Sequence, residues 1–96
     1  MSRRRYLIAY DVSDDKRRSG VFKTLVGNGD HVQFSVFLCA LNPRELAGLR
    51  GRLSELIHAK EDQVIMVDLG PSDAGLETLL ECLGKRYNPA TRVQVV

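Results

Sequence analysis

The apolar residues of this chain come in strand-length runs, and between the runs they recur at helical spacing. Residues 5–12, from Arg5 to Val12, are short, apolar and rich in aromatic and branched side chains, which reads as a buried strand. Alternation puts Tyr6, Ile8 and Tyr10 on one face and Leu7, Ala9 and Asp11 on the other. Ser13 then offers a helix N-cap, with Asp14 and Asp15 in the first turn, where the helix dipole favours acids. Val21, Phe22, Leu25 and Val26 give this helix an apolar stripe, and Gly27-Asn28-Gly29 stops it. Residues 31–41 are extended again, as one bent strand or as two short ones around Phe34-Ser35.

The second helix has three agreeing start signals: Asn42 as cap, Pro43 at the first position and Glu45 at the third. Leu46, Leu49, Leu53, Leu56 and Ile57 follow at helical spacing. Residues 62–69 read as another strand, and Gly70-Pro71-Ser72-Asp73 as a turn. Further on, Leu76, Leu79, Leu80 and Leu83 have helical spacing, Asn88-Pro89 breaks the chain, and Val93–Val96 is strand-like. With a hairpin in the middle, the order strand, helix, hairpin, helix, strand predicts an α+β, ferredoxin-like split βαβ sandwich. It has an antiparallel sheet with two helices on one face. At 96 residues the expectation is a single domain over 1–96. A domain of this size buries roughly 60–65% of its unfolded surface, so extra burial in a dimer would help it.

Such a scaffold says nothing about function, because it carries many. Charge says more. The chain is 44% hydrophobic and 27% charged, with a net charge of only +2, ordinary values for a soluble domain. Yet residues 1–23 hold seven basic side chains against three acids, a surplus that suits a polyanion better than a small neutral ligand. The competing reading is a solvated surface with a basic tail at Arg3–Arg5. No apolar run approaches the roughly 18 residues of a membrane span. The five residues from Tyr6 to Tyr10 are too few for a signal-peptide core, so the expectation is a cytoplasmic protein with no membrane partner. Cys39 and Cys82 have no metal-ligand spacing and read as buried thiols.

The residues from Tyr10 to Arg18 carry the sharpest chemistry. A carboxylate at the end of a core strand, Asp11, can hold a hard cation, and Lys16, Arg17 and Arg18 one turn later can hold phosphates beside it. Together they suggest metal-assisted work on a phosphodiester. The bland alternative is that Asp11 only organises the turn. One carboxylate is thin for a metal nuclease, and Asp68 has no partner motif. A symmetric dimer would bring two copies of Asp11 together, a pair that repels unless a cation sits between them. His31 and His58 are candidate bases without recognisable partners.

Tyr10-Asp11-Val12 with Asp15-Lys16-Arg17-Arg18 resembles the opening signature of the family named CRISPR-associated protein two. The segment from Gly29 to Phe37, with Val32-Gln33-Phe34-Ser35-Val36-Phe37 at its end, is similar to that family's second signature. The resemblance runs over the whole chain. It implies a ferredoxin-like homodimer in which Asp11 faces its twin, binds magnesium (Mg2+) and is the catalytic residue of an endonuclease acting on single-stranded RNA or double-stranded DNA. It makes Tyr10, Ser35 and Phe37 neighbours of that site and Arg17 and Arg18 phosphate-binding candidates. It also implies a part in spacer acquisition for antiviral defence. There the dimer clamps between CRISPR integrase subunits and holds the spacer duplex, a role that needs no hydrolysis. The family often has an acid after Ser-Val-Phe. This chain has Leu38, which removes any extra metal ligand there. By analogy, part of residues 79–83 or Val93–Val96 would pair across the dimer.

Three readings follow: a magnesium-dependent nuclease centred on Asp11, a non-catalytic dimeric adaptor for duplex DNA, and a small-metabolite regulator. The last fits the scaffold but not the basic segment. Ser35 and Phe37 also have plain structural readings, as a strand bend and a core residue.

Overall fold

The computed structural model describes residues 2–73, 75 and 78–87. Six elements follow in order: β1 (Arg4–Asp11), α1 (Asp15–Val26), β2 (Asp30–Gln33), β3 (Val36–Leu41), α2 (Pro43–Leu56) and β4 (Gln63–Pro71). The strands form one antiparallel sheet in the order β2-β3-β1-β4, the ferredoxin-like arrangement the element order predicts.

The period-two pattern of β1 decides what each face of the sheet does. Ile8 and Tyr10 are buried and Tyr6 packs against them. The same core holds Phe37, Cys39 and Leu41 from β3, Val21 and Leu25 from α1, and Leu49 and Leu53 from α2. Both helices therefore cover one face. Full burial of a side chain such as Phe37 or Leu25 is worth about 1.5–3 kcal/mol. Burial also pushes the Cys39 thiol up to about 11, which leaves it protonated and inert.

Among the described residues the opposite face has no helix. Ladder pairs Leu7↔Val67, Ala9↔Ile65 and Asp11↔Gln63 lie along it. Its β4 side chains Ile65, Val67 and Leu69 are 47%, 43% and 39% exposed.

Local chemistry explains most element boundaries. The α2 start is a full capping box: the Asn42 side chain accepts from the Glu45 N–H at 2.8 Å, and the Glu45 carboxylate accepts from the Asn42 N–H at 3.0 Å. At α1 the cap is Asp14 rather than Ser13. The Asp14 carboxylate accepts from the Arg17 N–H at 2.9 Å, while the Ser13 N–H is spent on Asp62 at 3.3 Å. Val26, at the end of the predicted stripe, is exposed. Residues 31–41 resolve into two strands joined by a turn at Phe34-Ser35. Gly29, just before β2, has no room for a side chain: a Cβ there would lie 2.5 Å from Cys39 Sγ and 2.5 Å from the Leu38 carbonyl.

Two further expectations fail in detail: Cys82, read from the sequence as a buried thiol, is exposed, and the turn expected at residues 70–73 starts later. Gly70 and Pro71 belong to β4 rather than to a turn. They pair with Arg5 and Arg4, with a bulge between Arg5 and Tyr6 and Gly70 at φ +99°. β4 is an edge strand, which tolerates proline. Among the described residues nothing after β4 adds a helix or strand. Leu79 and Leu83 are exposed and Leu80 is half-buried in the single chain, and Leu76 and Asn88-Pro89 lie outside the described residues. Val93–Val96 lie outside the described residues.

Candidate functional site

β1 ends at Asp11, and the chain turns into α1 while the β2–β3 turn leans over the same end of the sheet. The Tyr10 N–H donates to the Ser35 carbonyl at 3.1 Å, which fixes that turn against β1. Between the two segments and α1 lies an open groove of about 540 Å³. Tyr10 and Asp11 line it from β1, Arg18, Ser19 and Lys23 from α1, and Phe34 and Ser35 from the turn.

The sequence-derived candidates divide. Tyr10, Asp11, Arg18 and Ser35 meet in this groove. Asp11 is exposed. Tyr10 is 7% exposed. Burial raises its phenol above the ordinary value, against a smaller opposing pull from the Arg18 cation, so it stays protonated at neutral pH. Arg18 is anchored but half-exposed: one guanidinium nitrogen donates to the Val12 carbonyl at 2.9 Å and the other to Asp15. Phe37 lies beneath the groove as a fully buried core residue. Its ring stacks on His31 at 4.8 Å and lies 6.4 Å from Tyr10. Lys16 is exposed on the first turn of α1 and enters no ion pair among the described residues.

Arg17 goes elsewhere. Its Nε donates to Asp62 at 2.7 Å, and its remaining bonds reach Asp62 and Glu61 at 3.3 Å. The Asp62 carboxylate is wholly enclosed and also accepts the N–H groups of His58 at 2.8 Å and Ser13 at 3.3 Å. The Arg17 guanidinium, with those amides, holds the Asp62 carboxyl far below the usual carboxylate range. Arg3 and Arg4 are likewise engaged, Arg3 with Glu45 and the Ala40 carbonyl, Arg4 through Nε with both oxygens of Asp68. The first arginines thus clamp strand ends, and Asp68 is a structural partner five residues along β4 from the one opposite Asp11. His31, from its Nε2–H tautomer, donates to the Phe34 carbonyl at 2.7 Å, and His58 caps its own loop through Lys60 N–H. Neither histidine lines the groove.

Three groove residues, Ser19, Lys23 and Phe34, escape the sequence reading as site candidates. Lys23 sits four residues after Ser19, as Phe22 does after Arg18, a spacing that puts all four on neighbouring positions of one helix face and is the signal that could find them. Phe34, in the β2–β3 turn, has no such signal. Among the described residues no group of three or more His, Cys, Asp or Glu side chains could hold a metal. Leu38 is 4% exposed, a buried apolar residue of β3. No helix among the described residues is long and apolar enough to cross a membrane.

Comparison with known proteins identifies this architecture. Residues 4–75 match the family model for CRISPR associated protein Cas2. A CRISPR-associated endoribonuclease Cas2 of Rhodospirillum rubrum is 38% identical over 91 residues, 95% of this chain and 88% of its own length. One of Geobacter sulfurreducens is 31% identical over 95% of both. Among solved structures, Streptococcus pyogenes Cas2 superposes with a TM-score of 0.72 at 33% identity, covering 83% of this chain and 99% of that one. A hypothetical protein of Thermus thermophilus gives 0.73 at 36% identity, covering 86% and 93%. The chain therefore belongs to the CRISPR associated protein Cas2 family.

Proposed function

We propose that this protein is a magnesium-dependent endonuclease of CRISPR spacer acquisition, working as a homodimer on single-stranded RNA or double-stranded DNA. The observation that carries this reading is the position of Asp11. Its carboxylate is exposed at a groove flanked by Arg18 and Lys23, and it closes the helix-free sheet face beside Ala9 and Ile65. That face presents the apolar Ile65, Val67 and Leu69 to solvent, surface that a second copy would bury. Stacking two such faces would bring the two Asp11 side chains toward each other.

Magnesium is commonly held by one or two carboxylates together with waters, and Asp11, free of side-chain hydrogen bonds among the described residues, fits that donor class. When bound, the ion would neutralise charge on the scissile phosphate and make its bound water more acidic. The protein's own part is to hold the phosphodiester: Arg18 and Lys23 supply cations in the groove and Lys16 a further one on the first turn of α1, while Tyr10 and Ser35 shape the groove wall. Arg17 takes a structural part, bound to Asp62. The names of the relatives in Rhodospirillum and Geobacter, endoribonucleases, support the nuclease reading.

The adaptor reading, in which a dimer grips duplex DNA for a CRISPR integrase subunit without cutting, is favoured by one observation: a single chain brings no cluster of three metal-binding side chains together among the described residues. Cleavage of single-stranded RNA and duplex DNA by wild type and Asp11→Asn, with magnesium and with chelator, separates the two. Metal-dependent cutting lost in the variant supports the nuclease. No cutting by the folded wild type refutes it and leaves the adaptor.

A further inference from the structure

Phe34 stands apart from the other two phenylalanines of the chain. Phe37 is fully buried and Phe22 packs against the core, but Phe34 is 88% exposed. A single exposed apolar side chain is ordinary, so exposure alone decides nothing. The backbone adds a second observation: Phe34 has φ +33°, the one positive value among described residues other than glycine. That conformation strains a residue with a Cβ, and strain of this kind persists only where the surroundings enforce it.

The surroundings do enforce it. The Phe34 carbonyl accepts from His31 Nε2 at 2.7 Å. The His31 ring is stacked on Phe37 and packed edge-on against Phe22 at 5.1 Å. On the other side, the Ser35 carbonyl accepts from the Tyr10 N–H. The turn is bolted to the aromatic core from both ends, and the ring it carries projects beside Arg18 and Lys23 in the groove that holds Asp11. The groove wall beside it is apolar, from Tyr10, Val12 and Phe22, and the same groove carries the cations Arg18 and Lys23. The exposed apolar stripe of β4 lies at the far edge of the sheet from the β2–β3 hairpin. A flat π-face flanked by cations matches a ligand with flat rings and a polyanionic backbone.

We propose that Phe34 is a stacking platform for an unpaired nucleobase, with the adjoining phosphates on Arg18 and Lys23. This rests on reading the groove as a nucleic-acid site and deepens it. Bases inside a duplex are already stacked, so the platform serves single strands, and it biases the site toward unpaired RNA or DNA.

The test is the affinity of a 12-nucleotide single strand and of a 12-base-pair duplex, read by fluorescence anisotropy in chelator, where no metal-dependent cutting occurs. Phe34→Leu, which keeps an apolar side chain without a π-face, should weaken the single strand by about 5- to 150-fold and leave the duplex and the oligomeric state as in wild type. Phe34→Tyr should bind like wild type. Phe34→Gly should also bind poorly yet melt at a higher temperature, because glycine relieves the positive φ. The chain has no tryptophan, so Phe34→Trp provides a sole indole whose emission the single strand should quench. Wild-type affinity for the single strand in Phe34→Leu would overturn the platform while leaving the proposed function standing, as would an equal loss on duplex or a change in oligomeric state. Folded wild type that binds neither strand type would overturn the groove reading itself, and the platform with it.

Discussion

Gly29→Ala and Gly48→Ala are the same chemical change with opposite expected signs. At Gly29 an added methyl would sit 2.5 Å from Cys39 Sγ, 2.5 Å from the Leu38 carbonyl oxygen and 3.0 Å from Cys39 Cα. Two of those three atoms are backbone, so no rotamer change relieves the clash, and the loop must move by about 1 Å to restore ordinary contact distances near 3.5 Å. Overpacking of this kind costs about 1–3 kcal/mol. Gly29 is not among the glycines with positive φ, so alanine still contributes the 0.4–1 kcal/mol that follows from a stiffer unfolded chain. The net expectation is a loss of about 1–2 kcal/mol, or a fall in Tm of roughly 4–16 °C for a domain of this size. At Gly48, inside α2, a Cβ meets nothing within 4 Å, and replacing a helical glycine by alanine should gain about 1 kcal/mol. Thermal melts followed by far-UV circular dichroism, with all three proteins at one concentration because a dimer's Tm depends on it, give both signs. The two variants moving the same way, or Gly29→Ala melting above wild type, would refute the argument. Cys39→Ala in the Gly29→Ala background should recover only part of the loss, because the Leu38 carbonyl remains.

Asp62→Asn should lower stability at neutral pH and flatten its dependence on acid. The folded carboxyl lies below its unfolded value, so its contribution is present above the ordinary carboxylate pKa and disappears as pH falls through the folded one. The gap in urea midpoint between wild type and variant should therefore be constant from pH 7 to about pH 5 and begin to narrow between about pH 4 and pH 3, and a gap that does not narrow there would refute this. Arg17→Ala should act on folding, through a lower Tm from the unpaired Asp62. Lys23→Ala should act on binding, flattening the slope of log affinity against log salt by about 0.9 for a duplex phosphate contact; a Lys23→Ala slope equal to wild type would exclude that contact. Asn42→Ala removes half of the capping box and should cost about 1 kcal/mol, measurable as a shift of the urea midpoint without a change in m-value.

What could be read beforehand is what is encoded locally. Asn42, Pro43 and Glu45 announce α2 within four residues, and the alternation of β1 sorts Tyr10 inward and Asp11 outward before any partner strand is known. Ser13 and Asp14 are both good caps for α1, and the tie is broken by Asp62, which takes the Ser13 N–H from 49 positions away. The basic surplus of residues 1–23 pointed to a polyanion, but Arg3, Arg4 and Arg17 find carboxylates 42, 64 and 45 residues distant. A charge count along the chain cannot see such pairings. Four candidates did gather in one groove, since β1 delivers Tyr10 and Asp11, α1 follows at once with Arg18, and the β2–β3 turn is hydrogen-bonded back onto β1. Phe34 stayed hidden because its backbone conformation and its exposure are properties of the hairpin, not of its residue type.

The Glu45 carboxylate has two duties. It completes the capping box of α2, and it receives the guanidinium of Arg3. The start of the helix is therefore not purely a local event: its last hydrogen bonds are shared with the strand that lies alongside β3. A chain emerging from the ribosome meets this condition in a favourable order. Arg3 is exposed 42 residues before Glu45, so the guanidinium is waiting when the helix nucleates, and the docking of β1 and the closing of the cap can proceed as one step.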